Sequence, residues 1–489
     1  MHRSPTPTPE TADAAARPSG RTWLILAMLC AAQFMLILDI TVVNVALPSI
    51  QRDVGIAMSD LQWVVTAYTL SFGGLILLGG RAGDLLGRRR TFVTGLVLFT
   101  VASLGAALAA NPGGLLTARA AQGIGAALLS PSALALVTTT FPAGRFRHRA
   151  LGIWAAVAAG GGAAGVLLGG VLTQAFGWRA IFLINVPVGV GLIVGVLRLV
   201  PAVRPVTRMR LDATGALLAT GGLVALSYGL VQAGPAGWTS GRTLGLFALG
   251  VAGLAAFVAV ERRTSDPLVP LSIFRQRPTV TALVLMILGM GPVFSGFYFS
   301  SLYLQHVLGH SALRTGIEFL PVAVTIVAAA HVGGHLITRL GAKPIIASGL
   351  VMAAVGAWLL SRLPADGTYL ADLLPGFLML GSGGGLAAAG VMITAMSGAG
   401  DHDAGLRSGL INTAHELSIA LTLPVLATVA AARMGAGSHE SGVDASLLAT
   451  GVAAAFSASA VIAFAGALIA LALLRRGDVT AGSHHQMVH

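Results

Sequence analysis

Gly80-Arg-Ala-Gly-Asp84-Leu-Leu-Gly87-Arg88-Arg89-Arg90 sits between two apolar runs, 61–79 and 92–110. Glycine permits a tight bend there, and the cluster of arginines marks one side of a membrane. A looser copy, Gly334-His-Leu-Ile-Thr338-Arg339-Leu-Gly341-Ala-Lys343, closes a later apolar run at 315–338. The first copy begins 57 residues past Trp23 and the second 55 past Thr279, so the chain replays six of its apolar runs.

Outward from these turns the whole chain resolves into such runs. Roughly 20 apolar residues carry a helix across the hydrocarbon core. Fourteen runs of that kind lie near 23–47, 61–79, 92–110, 115–138, 151–174, 180–198, 212–232, 243–260, 279–304, 315–338, 345–362, 370–396, 405–432 and 450–474. The first is too long for a signal-peptide core and contains Asp39, so it is expected to be retained. Over 489 residues the composition is 55% hydrophobic and 10% charged, against about 25% charged in soluble domains. The expected fold is an all-α integral membrane protein. Two six-helix halves, 22–205 and 266–476, flank an inserted helix pair, 206–265, with cytoplasmic tails at 1–21 (disordered) and 477–489. Two similar halves around a midplane site are the plan of many secondary transporters.

Cation placement orients the chain. With the N-terminus inside, inner segments carry 23 of the 30 Lys and Arg residues and outer segments 6, while Arg119 falls within the fourth run. Cations concentrate on the cytoplasmic side, so both termini are expected there. The net charge of +12 is thus a topology signal and not a nucleic-acid surface. Lys343, the single lysine, cannot supply the Gly-x-x-x-x-Gly-Lys-Ser/Thr phosphate loop. That excludes an ATP-driven pump with its own nucleotide domain and leaves an ion gradient or a separate subunit. The single cysteine, Cys30, excludes an intrachain disulfide and a cysteine zinc site. The loops hold no nucleophile–base or metal set that would make an enzyme.

Five segments in order carry a family resemblance. The Gly80–Arg90 turn is similar to motif A of the major facilitator superfamily. Leu115-x-x-x-Arg119-x-x-Gln122-Gly123-x-Gly125 resembles its motif B. Gly161-x-x-x-Gly165-Val-x-x-Gly169-Gly170 resembles its antiporter motif C. Leu38-Asp39-Ile-Thr41-Val-Val-Asn44-Val-Ala46-Leu-Pro48 resembles the first-helix signature of drug exporters. Trp178-Arg179-Ala-Ile-Phe182-Leu-Ile-Asn185-Val-Pro187, with fourteen spans, is similar to the 14-helix drug:proton antiporters. Three positions depart from the pattern: Val166 replaces the motif C proline, Leu85 a common basic residue of motif A, and Thr338 the Asp of its second copy. The resemblance implies proton-coupled efflux of amphipathic drugs or antibiotics across the bacterial cytoplasmic membrane by alternating access. Proton-coupled uptake or facilitated transport of a small metabolite is the alternative.

Few residues can couple a proton to a substrate. A carboxylate deep in a span costs ~2.5–3.5 kcal/mol on insertion scales; Asp39 is such a group and requires a wet cavity, a partner or a proton. A structural hydrogen bond to Asn44 or a neighbouring helix is the plainer reading of Asp39. Arg119 stays charged and can answer a facing carboxyl or anchor backbone carbonyls. The resemblance places the motif B Arg in proton coupling. Glu416, beside His415 and four residues after Asn412, is the third coupling candidate, where family members often carry Arg-Gln. Asn44, Gln122, Asn412 and His415 are cavity candidates. Asp84, Gly87, Arg88 and Arg339 are gating candidates, with Asp84 expected against the N-terminus of the thirteenth helix by the resemblance. Gly161, Gly165, Gly169 and Gly170 permit close helix approach. Glu318 is expected to be solvated near the outer face, and His331 with His335 to pack or line the cavity. No cofactor, metal or obligatory protein partner is expected; the partners are protons, an amphipathic small molecule and the lipid bilayer.

Overall fold

The computed structural model describes residues 19–141, 145–201, 212–264, 267–397, 404–435 and 444–474. Nearly all of both expected tails, with Arg204, Arg208 and Arg210, lies outside them. Fourteen long helices run through the described residues: α1 Gly20–Val54, α2 Trp63–Leu86, α3 Arg88–Ala107, α4 Pro112–Thr140, α5 Arg145–Phe176, α6 Ala180–Leu199, α7 Ala213–Ala236, α8 Gly241–Glu261, α9 Arg277–Leu302, α10 Ala312–Leu340, α11 Ala342–Leu360, α12 Leu374–Met396, α13 Ala404–Met434 and α14 Ala445–Leu473. Thirteen of them are long and apolar enough to cross a membrane, and α5 contributes the apolar stretch Gly160–Phe176. Single π-turns lengthen α9 through Val307 and open α12 at Tyr369.

The sequence repeat is a repeat of geometry. Gly87 (φ +96°) alone separates α2 from α3, and Gly341 (φ +83°) alone separates α10 from α11. A side chain at that φ would be strained, which is why both copies of the turn hold glycine. Helix α4 packs against both α2 and α3, and α12 packs likewise against α10 and α11. A close glycine approach recurs as well: a Cβ built on Gly95 would stand 2.7 Å from the Gly125 carbonyl oxygen, and one on Gly349 2.7 Å from that of Gly383.

Polar and small residues fasten the remaining contacts. Gly161, Gly165 and Gly169 face Ile37, Thr41 and Val42 of α1. Gly170 faces Ala312 of α10 across the molecule. Despite its seven glycines α5 is continuous through Val166, where a proline would have favoured a bend. Helices α7 and α8 pack on each other, and α7 lies along the seam between α2 and α13. Thr220 Oγ1 donates to the Gly74 carbonyl of α2 at 3.1 Å. Thr428 Oγ1 of α13 donates to the Leu230 carbonyl of α7 at 3.0 Å. At the end opposite the α2–α3 turn, called here the far end, Asp53 ties α1 to the start of α6 through Arg179 and through Trp178 Nε1 at 2.7 Å.

Candidate functional site

Helix α1 carries Asp39 into the interior, where it is fully buried, and Arg119 of α4 is 1% exposed beside it. Arg119 Nη1 donates to Asp39 Oδ2 at 2.5 Å. Asp39 Oδ1 accepts from Gln122 Nε2 at 3.0 Å and from Asn185 Nδ2 of α6 at 2.9 Å. Both amides also reach Ser103 Oγ of α3, at 2.8 and 3.4 Å. Arg119 Nε donates to the Val64 carbonyl of α2 at 2.9 Å, and Arg119 Nη1 donates to Gln122 Oε1 at 2.9 Å. The guanidinium lies over the Tyr68 ring, 4.5 Å from its centroid. Five helices thus converge on one ion pair. Burying an ion costs several kcal/mol unless partners satisfy it, and nearly every polar atom here has one.

The arrangement has a chemical consequence. All three donors treat Asp39 as an acceptor. The two oxygens offer about four acceptor sites and these contacts take three, so only the free lone pair of Asp39 Oδ2, beside the Arg119 guanidinium, can take a proton without breaking a contact. A proton there would neutralise the charge that holds Arg119, so the Asp39–Arg119 contact is the one it weakens most.

The expected residues divide between this network and other places. Gln122, read as a cavity residue, is wholly buried inside it. Asn44 does not reach Asp39; its Nδ2 donates to its own helix at the Ile40 carbonyl, 3.3 Å away. Ser103, Tyr68 and Asn185 are members that the sequence did not single out, although Asn185 stood in the quoted Trp178–Pro187 segment. Arg119 joins both of its anticipated partner types, a carboxylate and a backbone carbonyl.

In the last six helices, Glu416 of α13 is 5% exposed and faces α2, where a Cβ on Gly73 would stand 2.6 Å from the Glu416 Cβ. Its Oε1 is 3.3 Å from His415 Nδ1, while Oε2, also buried, has no hydrogen-bond partner. His415 stacks edge-on against Phe294 of α9 with centroids 4.9 Å apart. Asn412 is exposed one turn away.

At the α2–α3 turn Asp84 is half exposed and pairs with Arg88 at 3.3 Å. Among the described residues its carboxylate pairs with Arg88 and with no group of α13; residues 398–403 ahead of α13 are outside the described set. Arg339 is exposed at the matching turn. Glu318 is not solvated as expected: it is buried between His310 and Arg314. His331 and His335 do not pack inward; both are exposed, with their Nε2 atoms 3.2 Å apart. Among the described residues no three metal-ligating side chains gather.

Residues 29–423 match the family model of the Major Facilitator Superfamily. The chain is 42% identical over 412 residues to the cephamycin export protein of Amycolatopsis lactamdurans, covering 83% of this chain and 84% of that one. It is 42% identical over 416 residues to the puromycin resistance protein of Streptomyces alboniger, with 84% and 82% covered. Against the lincomycin resistance protein of Streptomyces lincolnensis it is 36% identical, with 86% of each covered. In fold it is similar to a bacterial homologue of the human lysosomal transporter Spinster in an inward-facing, occupied conformation, at 17% identity, TM-score 0.64, and coverage of 96% of this chain and 100% of that one. A D-xylose–proton symporter aligns at 14% identity and TM-score 0.65, covering 94% and 99%. A membrane-spanning helical chain with this repeat and these relatives belongs to the major facilitator superfamily of transporters.

Proposed function

We propose that the protein exports amphipathic antibiotics or related drugs in exchange for protons, by alternating access. The observation that carries the reading is the buried Asp39–Arg119–Gln122–Asn185 network, in a chain similar over four-fifths of its length to antibiotic export and resistance proteins. Asp39 takes the proton, and Arg119 reports its arrival by giving up its carboxylate. Glu416, with one oxygen unpartnered and His415 beside it, offers a second titratable group near the seam between α2 and α13. Asn44, Asn412 and His415 contribute polar groups to the substrate path.

The working parts are the halves 22–205 and 266–476, moving about the inserted pair 206–265. The end bearing the α2–α3 turn is the cytoplasmic one, because the arginine-rich turns gather there. On this reading both termini lie in the cytoplasm of a bacterial cell, with the protein in its cytoplasmic membrane. Asp84, Gly87, Arg88 and Arg339 act in gating at that face, in a conformation other than this one.

The test is expression in an efflux-deficient bacterium challenged with a cephamycin, puromycin and lincomycin. Protection from at least one, abolished by a proton uncoupler, is expected. In everted vesicles, drug addition should release protons from the lumen; proton movement in the opposite direction would replace export with uptake.

A further inference from the structure

One corner closes the far end between the first and last six helices. It is the stretch from Gln305 to Gly316, which joins α9 to α10. Gln305 Nε2 donates to the Val45 carbonyl of α1 at 2.8 Å. A Cβ on Gly170 of α5 would stand 2.7 Å from the Ala312 carbonyl oxygen, and one on Gly316 2.6 Å from that of Val166. Each of these contacts crosses between the halves.

A buried carboxylate holds the corner together. Glu318 keeps 8% of its side chain exposed and His310 10%. Glu318 Oε2 is 2.8 Å from His310 Nδ1, and Oε1 accepts from Arg314 Nε at 3.0 Å. The His310 backbone N–H donates to the Leu304 carbonyl at 2.8 Å, folding the loop back on α9 through Gly309 (φ +68°). Tyr369 Oη at the start of α12 donates to the Glu318 carbonyl at 2.6 Å. Other ionisable groups face the corner. α9 supplies Tyr303 and His306; α1 supplies Arg52, within electrostatic reach of His306; and Asp366 and Asp372 lie within reach of Tyr303. The α5 surface against the corner, Val166 and Gly170, is uncharged. None of these residues belongs to the Asp39 network.

We propose that His310 and Glu318 form a proton-binding site at the far end, separate from Asp39, whose occupancy favours closure of that end. Neutral His310 offers one Nδ1–H to the carboxylate. A proton from the far-side solution adds to the Nε2 lone pair, no bond breaks, and the contact becomes an ion pair. The carboxylate already accepts from a neutral ring; the added charge on His310 supplies a coulombic attraction, and burial keeps salt from screening it. Arg314 is 62% exposed, so solvent weakens its hold on Glu318 and leaves room for a second cation. Histidine changes charge between about pH 5 and pH 8, the range across which a proton gradient operates. The stiffened corner is the surface that α5 and α1 close upon. On the exporter reading above, on which this inference rests, a proton arriving after drug release shuts the outer end and starts the return.

The experiment is pulsed electron–electron distance measurement on the full chain in lipid nanodiscs. Spin labels go on Phe176→Cys and Leu370→Cys, which are 75% and 72% exposed at the far end, in a Cys30→Ser background. Lowering pH from about 8 to about 5.5 should raise the closed-to-open ratio roughly three- to tenfold, as a hydrogen bond to a carboxylate becomes an ion pair. His310→Gln and Glu318→Gln should each remove most of that change, and His306→Gln should leave it. His310→Asn replaces His310→Gln if the latter does not yield monodisperse protein. An unaltered response in the His310 and Glu318 variants, or loss in His306→Gln alone, overturns the site. Uncoupler-sensitive efflux by the same protein separates the two claims. Absent proton-driven efflux with the response intact defeats the exporter reading. Intact efflux with the response unchanged in His310→Gln defeats the latch.

Discussion

Replacing Asp39 by asparagine keeps the side chain's size and removes its charge. Asp39 now receives Arg119 on one oxygen, and Gln122 and Asn185 on the other. Asparagine has one acceptor oxygen and an NH2 group, so at least one of those donors would face another donor. Arg119 would keep the Val64 carbonyl and Gln122 Oε1 but lose its carboxylate while 1% exposed. Breaking a buried pair by removing one partner costs ~3–5 kcal/mol, because the remaining charge is stranded. Removing both ions at once is often close to neutral. Asp39→Asn should therefore be strongly destabilised, and Asp39→Asn/Arg119→Gln should recover most of the loss. Unfolding followed by tryptophan fluorescence in detergent supplies the double-mutant cycle, with an expected coupling above about 1 kcal/mol. Drug-induced proton release in everted vesicles should be absent from both variants. Additive losses would show that the pair is not the source of the penalty; full proton-coupled efflux by Asp39→Asn would remove Asp39 from the mechanism.

Glu416→Gln should behave oppositely in the unfolding assay: the present carboxylate has an unpartnered buried oxygen, so losing its charge should be neutral or stabilising by about 1 kcal/mol, while the pH dependence of efflux flattens. Gly165→Val would drive a side chain into Thr41 and part α1 from α5; an overpacking cost of about 1–3 kcal/mol should appear as a lower folded yield on size exclusion. Gly162→Ala, with open space around its Cβ position, should match the wild type in the same measurement. Asp84→Asn should change stability by less than about half a kcal/mol, since an exposed pair with Arg88 contributes little; efflux should nevertheless fall while drug binding, read by fluorescence quenching, persists.

The spans were legible because bilayer thickness sets a length that no soluble helix must obey. The Gly87 and Gly341 turns were legible because a positive φ restricts residue choice. Asp39 and Arg119 could be found as charges inside apolar runs, but not as a pair: 80 residues separate them and no periodicity joins α1 to α4. Ser103 and Asn185 escaped because neutral polar residues in spans are common and their partners are set by helix packing. Asp84 shows a different limit. Its role was read for a conformation in which it meets α13, and one sequence serves several conformations. Glu318 was misplaced because solvation at a helix start depends on how the preceding loop folds back, which here turns on His310.

Helix α7 bonds to α2 on one side and to α13 on the other. If the halves rock, their motion along that seam is limited to what a hydrogen bond can follow. The α5–α10 side is held by close packing, Gly170 against Ala312 and Gly316 against Val166, contacts that part more readily than a bonded strap, so displacement should grow with distance from α7. Opening is then that of a hinged book and not of parallel jaws. A bulky substrate would enter and leave by the edge that parts furthest, and labels placed across α5 and α10 would record a longer stroke than labels placed across α2 and α13.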